Sequence, residues 1–561
     1  MPETTVPQVD GGTPVVVTGN IRTMADGGHG RARAMLVAEG RVAAVAEDPA
    51  DLPRASGAAV LDAGRRTILP GFVDPHAHVE LSSIAHDMVD CRVPRRRSIA
   101  DVLDTLSDSV RSLEPGEQWL LGQANLFFDK KLAEHRYPTR AELDSVSTEV
   151  AIAIRAGGHS SLLNSKAIEL INADRLETGQ QGFTGAMVID KAANGQVSGL
   201  VSEVDKFLPE RHGTRAAIKD SIRRGLPALW TQYGVTTIGE MSETLGGLTC
   251  LDELIAGGEV AARIVAYIMV PTAMPVEDGY RWAEHVSLRS PADRLSVRGL
   301  KMFCDGGYSA RNAATLQPFI DERAVSAYPY GQINLSRAVL ASIVSQTRAA
   351  GLQLAVHTNG ERAQAELAAA VLAADAGDGL PVRAEHAGNL LTDWAGAAAW
   401  REANLVPVVQ PAFLYNFGAF IPEVLGRAVD AGQFRFRSLI HDGWRLAGSS
   451  DITVGAEEGQ SNPFFGVYCS VARTGFTGLP VGEDAEKLDV AEAMLMHTVH
   501  AAEALGVASD RGTLEAGKAA DFIVVDADPF AVPPDALRRI AVDEVFLSGA
   551  RVYRRPGVPT A

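Results

Sequence analysis

Two histidines separated by one residue give the first indication of chemistry. His76 and His78 close the apolar stretch TILPGFVDPHAH at residues 67–78. In a β-strand, residues i and i+2 point to the same face, so both imidazoles can reach one metal ion. Such a pair also occurs as two ordinary surface or core histidines, and the spacing alone leaves both interpretations open.

Four further residues close or interrupt apolar stretches in the same way. They are His357 in LAVHTNG, His386 in VRAEHAG, Asp451 in WRLAGSSD and Lys301 in GLKMFCDG. Taken singly, each has a structural interpretation. A strand-end histidine packs in a core, an aspartate caps a helix or turn, and a buried lysine pairs with an acid such as Asp305.

Taken together, these residues predict a metal site. In a barrel, side chains at the carboxyl ends of different strands converge on one mouth, so four histidines, one aspartate and one lysine would line a single cavity. Imidazole and carboxylate suit Zn²⁺ or a similar divalent ion. A buried ammonium is costly, but Lys301 carboxylated by CO2 would become an anionic ligand that bridges two metal ions.

The elements that position these residues are buried strands alternating with Ala-rich helices, typical of an α/β fold with a parallel sheet. Nine apolar stretches are predicted as strands: 67–78, 150–159, 234–240, 263–270, 299–306, 352–360, 382–388, 405–411 and 444–451. WLLGQANLF at 119–127 is a tenth candidate. A (β/α)8 barrel needs eight, so the surplus indicates an insertion, expected at about 81–232. Short β segments at both chain ends either pair into one small sheet or form two independent flaps.

Composition restricts the class of partner. The chain has 561 residues, 46% apolar and 22% charged, with a net charge of −17, which disfavours nucleic acid and anionic membranes as partners. No apolar run is long enough to span a bilayer, and residues 1–12 lack the pattern of a signal peptide. The four scattered cysteines predict neither a disulfide framework nor a thiolate zinc site. We expect a soluble cytoplasmic protein that acts on a small molecule. Its oligomeric state is left open, and a homodimer is one candidate.

Motifs along the whole chain resemble the amidohydrolase superfamily in order and spacing. They are LPGFVDPHAHVEL (69–81), GLKMFCDGG (299–307), VHTNGERA (356–363), RAEHAG (383–388), AGSSDITVG (447–455) and the tail at 496–529. The long insertion containing RAGGHSSLLNS is similar to that of the branch called amidohydrolase family 3, which includes YtcJ-like and N-substituted formamide deformylase-like proteins. The resemblance implies a distorted (β/α)8 TIM barrel over residues 70–505 and a small β-sandwich built from residues 1–69 and 506–561.

The resemblance also implies a distribution of ligands. By analogy, the more buried metal ion would be held by His76, His78 and Asp451, the second by His357 and His386, and the bridge would be carboxylated Lys301. Two departures from the family pattern, Glu361 and the segment ANLFFDK at 124–130, fall near the expected pocket. These departures weaken any inference about the substrate from other family members, but they do not affect the inference of the metal site.

The predicted reaction is hydrolysis of an amide-type C–N bond. A water that bridges the metal ions is acidified toward neutral pKa, and the ion held by His357 and His386 polarises the substrate carbonyl. Asp451 takes the proton from the attacking water and delivers it to the leaving nitrogen. His159 is predicted to donate to the oxyanion or to contact substrate. Its alternative is a structural histidine that ties the insertion to the barrel.

Apolar side chains near the expected mouth predict an apolar cavity. The candidates are Leu126, Phe127, Phe128, Leu132, Phe464 and Phe465. For any one of them, core packing is the simpler interpretation. If several line the mouth, a hydrophobic N-aryl or N-alkyl amide fits better than a sugar or a nucleotide. Arg311 in GGYSARNAAT either meets a substrate carboxylate or holds its own loop.

Three other activities fit the same residues. A deaminase of an aminated ring would keep one metal ion and dispense with the bridging lysine. A hydrolase of carbamates, ureas or dipeptides would use the same site. A scaffold protein without catalysis is the third alternative, which the retention of all six ligand-type residues disfavours.

Overall fold

A computed structural model describes residues 13–180, 182, 185–209, 213–321, 323, 328–374 and 379–558 of the chain. The segment at 1–12, whose sequence predicts no signal peptide, lies outside the described residues.

Twenty-one strands are present in these ranges, and they form three sheets. In chain order they are β1 (Val15–Arg22), β2 (Arg31–Ala38), β3 (Arg41–Ala46), β4 (Ala59–Pro70), β5 (Phe72–Ala77), β6 (Val89–Asp90), β7 (Trp119–Ala124), β8 (Ala151–Ala156), β9 (Ser160–Leu163), β10 (Val188–Lys191), β11 (Val197–Ser202), β12 (Val235–Ser242), β13 (Arg263–Met269), β14 (Leu295–Phe303), β15 (Gln353–His357), β16 (Arg383–Glu385), β17 (Val406–Val409), β18 (Ala447–Gly448), β19 (Phe522–Val525), β20 (Val542–Leu547) and β21 (Ala550–Arg554).

Helices connect most of the parallel strands. The α-helices of six or more residues, within the described ranges, are Val79–His86, Ile99–Arg111, Arg140–Val146, Ser165–Leu170, Arg215–Leu229, Leu245–Ala256, Arg337–Ala349, Glu361–Ala373, Ala395–Glu402, Pro411–Phe417, Phe436–His441, Pro463–Ala472, Val490–Met496 and Val499–Ala504. Local sequence sets their ends. Ser336 begins one of them by accepting a hydrogen bond from the backbone N–H of Val339, which satisfies a donor that the first turn leaves unpaired.

Eight parallel strands form a nearly closed barrel in the order β18-β17-β16-β15-β14-β13-β12-β5, which confirms the predicted fold class. Every residue of β12 and β13 is buried, as expected of parallel strands covered on both faces. The seam between the first and last strands is joined just beyond β18. There the backbone N–H of Asp451 donates to the carbonyl oxygen of His76 over 2.9 Å, and that of His78 donates to Ile452 over 3.2 Å.

A seven-stranded sheet joins both ends of the chain in the order β21-β20-β19-β4-β1-β2-β3. β4 pairs in parallel with β1 and antiparallel with β19, so the amino- and carboxyl-terminal segments form one sheet rather than two independent flaps. Alternate residues of β19 face different cores: Val524 packs within the terminal sheet, whereas Ile523 packs against the main core of the barrel. The exact domain boundaries stay a prediction.

A six-stranded sheet in the order β10-β11-β9-β8-β7-β6 lies between the first two barrel strands in sequence. It contains the candidate strands at 119–127 and 150–159, which leaves eight for the barrel. β8 and β9 form an antiparallel hairpin. Its turn carries His159 to the cavity at the barrel mouth.

Candidate metal centre and substrate cavity

The closest group of potential metal ligands lies at the seam of the barrel. The Oδ1 atom of Asp451 lies 3.3 Å from Nε2 of His76 and 3.3 Å from Nε2 of His78. One ligand atom from each of the three residues lies within 4.8 Å of the others. Asp451 reaches this position through a left-handed backbone conformation, with φ of 44°. The hydrogen bond from its N–H to His76 fixes that conformation across the seam.

His76 is held from behind by a buried carboxylate. Its Nδ1 lies 2.5 Å from Oε2 of Glu385. Glu385 in turn accepts hydrogen bonds from Nε and Nη2 of Arg383 over 2.7 and 3.1 Å. Burial favours the neutral acid, but the charge of Arg383 outweighs it and holds the pKa of Glu385 well below its usual range. This carboxylate therefore stays charged and fixes the orientation of the imidazole, as outer-sphere groups do at metal sites.

His78 faces a second carboxylate on the adjacent barrel strand. Its Nδ1 lies 3.2 Å from Oε1 of Glu243, which follows β12. Burial lowers the pKa of His78, but hydrogen bonds to Asp451 and Glu243 outweigh this effect and raise it to about 9. Each histidine of the pair thus has its own carboxylate on the side away from Asp451.

The two remaining histidines stand beside this group rather than within it. The rings of His357 and His386 lie 4.4 Å apart, and His386 lies 5.3 Å from the ring of His76. Nδ1 of His386 lies 2.7 Å from Oε1 of Gln410 and 3.9 Å from Asp451. Nε2 of His357 lies 3.2 Å from the carbonyl oxygen of Gly306.

Lys301 projects into the same cavity, where its Nζ lies 4.9 Å from the centre of the Phe303 ring. Its side chain is fully buried, and its Nζ has no hydrogen-bond partner among the described residues. Burial lowers the pKa of Lys301 to about 8. The ion pair with Asp305, considered from sequence, does not form. Asp305 instead accepts hydrogen bonds from the backbone N–H groups of three residues in its own and the next loop, Ala314, Asn359 and Gly360.

These observations test whether the residues fit a divalent cation. Burial, and then the nearby charge of Lys301, lower the pKa of His76 to about 3, so its ring is neutral. With the Nδ1 proton donated to Glu385, its Nε2 presents a lone pair to the carboxylate of Asp451. Two acceptors that face each other at 3.3 Å repel one another unless a proton or a metal cation lies between them, and imidazole with carboxylate is a donor set that divalent metals take. The residues therefore fit a metal ion.

His159 reaches the cavity from the insertion. Its ring lies 5.9 Å from that of His357, and its Nδ1 lies 2.8 Å from Oε1 of Glu203. The backbone of Gly307 packs against the ring so closely that a β-carbon there would lie 2.8 Å from Cδ2 of His159. The structure thus brings His159 to the six predicted ligand residues.

The cavity between the insertion and the barrel has a largely apolar wall. Its apolar side chains include Leu81, Leu126, Phe127, Phe303, Tyr308, Phe413, Phe417 and Val454. The rings of Phe413 and Phe417 lie 4.8 Å apart, and Phe413 is nearly parallel to His386 at 6.4 Å. An apolar group attached to a substrate would therefore meet aromatic faces next to the histidines.

Two predicted substrate contacts are placed elsewhere. Phe128 packs in the core of the insertion near Leu132, and its neighbour Phe127 lines the cavity instead. Phe127 adopts a left-handed conformation, with φ of 55°, which points the adjacent rings in different directions. Arg311 is fully buried and pairs with Asp321. It holds its own loop and does not line the cavity.

The predicted aromatics after the eighth strand also lie outside the cavity. Phe464 is buried and packs edge-on against Phe72 at 5.1 Å. Phe465 packs against Tyr415 at 5.2 Å. The sequence did not single out the carboxylates that hold the histidines, Glu385, Glu243 and Glu203. For Glu385 a signal existed, because it directly precedes His386 in RAEHAG.

Comparison with known proteins decides the family. Residues 59–553 match the Amidohydrolase family. The chain belongs to this family. The resemblance seen in the sequence is thereby confirmed, and the protein is a metal-dependent hydrolase of carbon–nitrogen bonds.

Several relatives of this amidohydrolase match over most of its length. N-substituted formamide deformylase of Arthrobacter pascens is 26% identical over 557 residues, which cover 97% of this chain and 98% of the relative. YtcJ of Bacillus subtilis is 25% identical over 502 residues, 87% of this chain and 89% of the relative. A crystal structure of an uncharacterized metal-dependent hydrolase from Pyrococcus horikoshii covers 93% of this chain and 99% of its own, with a TM-score of 0.70 and 23% identity. The similarity to this crystal structure is a similarity of fold.

No helix in the described part of the chain combines the length and apolar character needed to cross a membrane. The homodimer and the cytoplasmic location stay predictions.

Proposed function

We propose that this amidohydrolase cleaves the C–N bond of an N-substituted amide, above all a formamide or another N-acyl compound, that carries an apolar group on nitrogen. The observation that carries the proposal is the position of Asp451, 3.3 Å from both His76 and His78, beside a cavity walled by aromatic rings. The name of the Arthrobacter relative supports formamides as the first substrates to test.

The metal centre in this proposal contains two divalent ions, with Zn²⁺ preferred. His76, His78 and Asp451 would hold one ion, and His357 and His386 the other. Carboxylated Lys301 would bridge them: the neutral Nζ would add to CO2 and lose one proton, which would convert a buried amine without a hydrogen-bond partner among the described residues into an anionic ligand. When bound, such ions supply a Lewis acid that acidifies water and polarises a carbonyl group.

The side chains of the protein have three tasks in the proposed reaction. Asp451 accepts the proton of the attacking water and delivers it to the leaving nitrogen, as a general base and then a general acid. His159 hydrogen-bonds the amide group of the substrate. Phe413 and Phe417 hold the apolar substituent and exclude water from the cleaved bond.

A substrate screen tests this proposal. Metal-reconstituted enzyme would be assayed with formanilide, acetanilide, phenylurea, an alkyl carbamate, a dipeptide and N-formylglycine, with release of amine and acid measured. We expect formanilide to be cleaved to formate and aniline with a kcat/KM well above that of N-formylglycine, whose substituent is charged. A preference for the urea, the carbamate or the dipeptide, or ammonia release from an aminated ring, would overturn the proposed substrate class.

A further inference from the structure

The strand pairing of the insertion places a carboxylate directly behind His159. β11 pairs antiparallel with β9, and Ser202 lies opposite Ser160. The next residue along β11 is therefore brought opposite the residue before β9. The backbone N–H of Glu203 donates to the carbonyl oxygen of His159 over 3.0 Å, which extends the ladder by one step.

The side chain of Glu203 is directed at the histidine by its backbone. Glu203 adopts a left-handed conformation, with φ of 61°, which a residue other than glycine takes up only when its surroundings stabilise it. Its side chain is fully buried. Its Oε1 lies 2.8 Å from Nδ1 of His159 and accepts a hydrogen bond from Nδ2 of Asn312 over 3.0 Å.

Asn312 connects this pair to the barrel. Its Oδ1 accepts the backbone N–H of Gly307 over 2.7 Å, in the loop that follows β14. Gly307 is the residue whose missing side chain makes room for the His159 ring, because a β-carbon there would lie 3.2 Å from Nε2. The carboxylate, the amide and the glycine thus fix one ring from the insertion against the barrel loop that follows Lys301.

We propose that Glu203 is a positioning residue, which engages Nδ1 of His159 so that the Nε2 edge of the ring meets the amide group of the substrate. This inference rests on the proposed function, in which His159 contacts that amide. A carboxylate that accepts from Nδ1–H selects one tautomer and one ring orientation, as the partners of other functional histidines do. Glu203 itself touches no substrate and acts through His159.

A double-mutant cycle tests the inference. In metal-reconstituted enzyme, we expect Glu203→Ala to lower kcat/KM for formanilide by about ten- to a hundredfold, the usual effect of removing such a partner. Glu203→Gln keeps an acceptor oxygen and should recover most of the activity. In a His159→Asn background, Glu203→Ala should lower kcat/KM only slightly further, because Glu203 acts through His159. Additive losses in the double variant would overturn the inference.

Two further readouts separate positioning from a general structural role. Metal content by elemental analysis should be the same in wild type, Glu203→Ala and Glu203→Gln. With ¹⁵N-labelled histidine, the signals that His159→Asn removes should show the proton on Nδ1 in wild type and move toward the Nε2–H form in Glu203→Ala. Unchanged histidine signals would overturn the inference. If Glu203→Ala does not fold, the cycle and the spectra are run with Glu203→Met, which fills the space of the glutamate but accepts no hydrogen bond from Nδ1 of His159.

A matched control uses another fully buried glutamate. Glu544 lies in β20 and pairs with Arg66 and Arg551, far from the cavity in the fold. Glu544→Gln should change neither kcat/KM nor the signals of His159. If wild-type enzyme does not cleave formanilide, the proposed function fails, while the histidine spectra still report whether Glu203 orients the ring.

Discussion

The two rims of the barrel treat buried charge in opposite ways. At the amino-terminal rim, Arg263 begins β13 and meets Asp521 over 2.6 and 3.0 Å, with a further contact to Asp293. At the carboxyl-terminal rim, Lys301 near the end of β14 has no hydrogen-bond partner among the described residues, and Asp451 faces the nitrogen atoms of two histidines. The paired charges at the amino-terminal rim join the terminal sheet to the barrel, whereas Lys301 and Asp451 at the carboxyl-terminal rim line the cavity. Substitutions at the two rims should therefore separate stability from activity.

The largest effect on activity is expected at Asp451. Asp451→Asn keeps the shape of the side chain but removes the base that takes the proton of water, so kcat/KM should fall by about 10³-fold or more. The thermal midpoint should change little, because the backbone contacts across the seam remain. Asp293→Asn is the matched control at the opposite rim. Wild-type turnover in Asp451→Asn would show that Asp451 does not carry the proton.

Lys301 should come second. Lys301→Ala is expected to lower bound metal and to reduce kcat/KM by about a hundredfold, since the bridging anion is lost. Acetate or formate should restore part of the activity, because a short carboxylate fits the space left by the side chain. Activity, metal content and rescue would be measured together. A density map that shows a bare ammonium at Lys301 in metal-loaded enzyme would exclude the carbamate.

Substitution of Lys131 is expected to affect both stability and activity. Its buried Nζ lies 2.6 Å from Glu457 and 2.5 Å from Asn416, and Gln460 joins this group to the carbonyl oxygen of Ser450 beside Asp451. Lys131→Met leaves Glu457 buried without its cation, which should cost about 3–5 kcal/mol of stability.

Because the same network supports the loop of Asp451, we also expect kcat to fall by about tenfold, a smaller loss than that of the variants above. Denaturant unfolding and steady-state kinetics measure the two effects. If the variant is destabilised but its kcat is unchanged, the network around Lys131 contributes to the stability of the fold and not to catalysis.

Arg263 should affect activity least. Arg263→Met leaves the carboxylate of Asp521 buried without its cation, so the free energy of unfolding should drop by about 3–5 kcal/mol. The folded enzyme should keep its kcat/KM, because the pair lies at the rim opposite the cavity. A large loss of kcat/KM at a temperature where the variant is folded would contradict the claim that charges at the amino-terminal rim contribute to stability and not to activity.

The barrel, and the convergence of the six candidate ligand residues on its mouth, could be predicted because their signals are local. Each candidate ligand lies in or just after an apolar strand, with His76 and His78 sharing one strand, and parallel strands bring such strand ends to one mouth. The contact between Glu203 and His159 could not be predicted in this way, since it depends on the register of β9 and β11. The packing of Phe128 in the core of the insertion could not be predicted for a related reason. Two adjacent aromatic residues differ only in backbone angles, and the left-handed conformation of Phe127 decides which ring reaches the cavity.

Arg311 shows a different limit. The sequence around Arg311 is compatible with a contact to a substrate carboxylate. In the structure, two acidic side chains of the protein itself pair with the guanidinium instead. Asp321 is ten residues away in the chain, and Asp129 comes from the insertion. A charged residue near a predicted pocket is therefore a weak indication until its partners are known.

The central claim is that six residues from separate strands and loops gather around divalent metal. Elemental analysis of purified enzyme that cleaves formanilide tests it most directly, with the Asp451→Asn and Lys301→Ala variants measured beside wild type. We predict two divalent ions per chain in wild type and fewer in Lys301→Ala. An enzyme that is fully active, contains no metal and is indifferent to strong chelators would contradict the account.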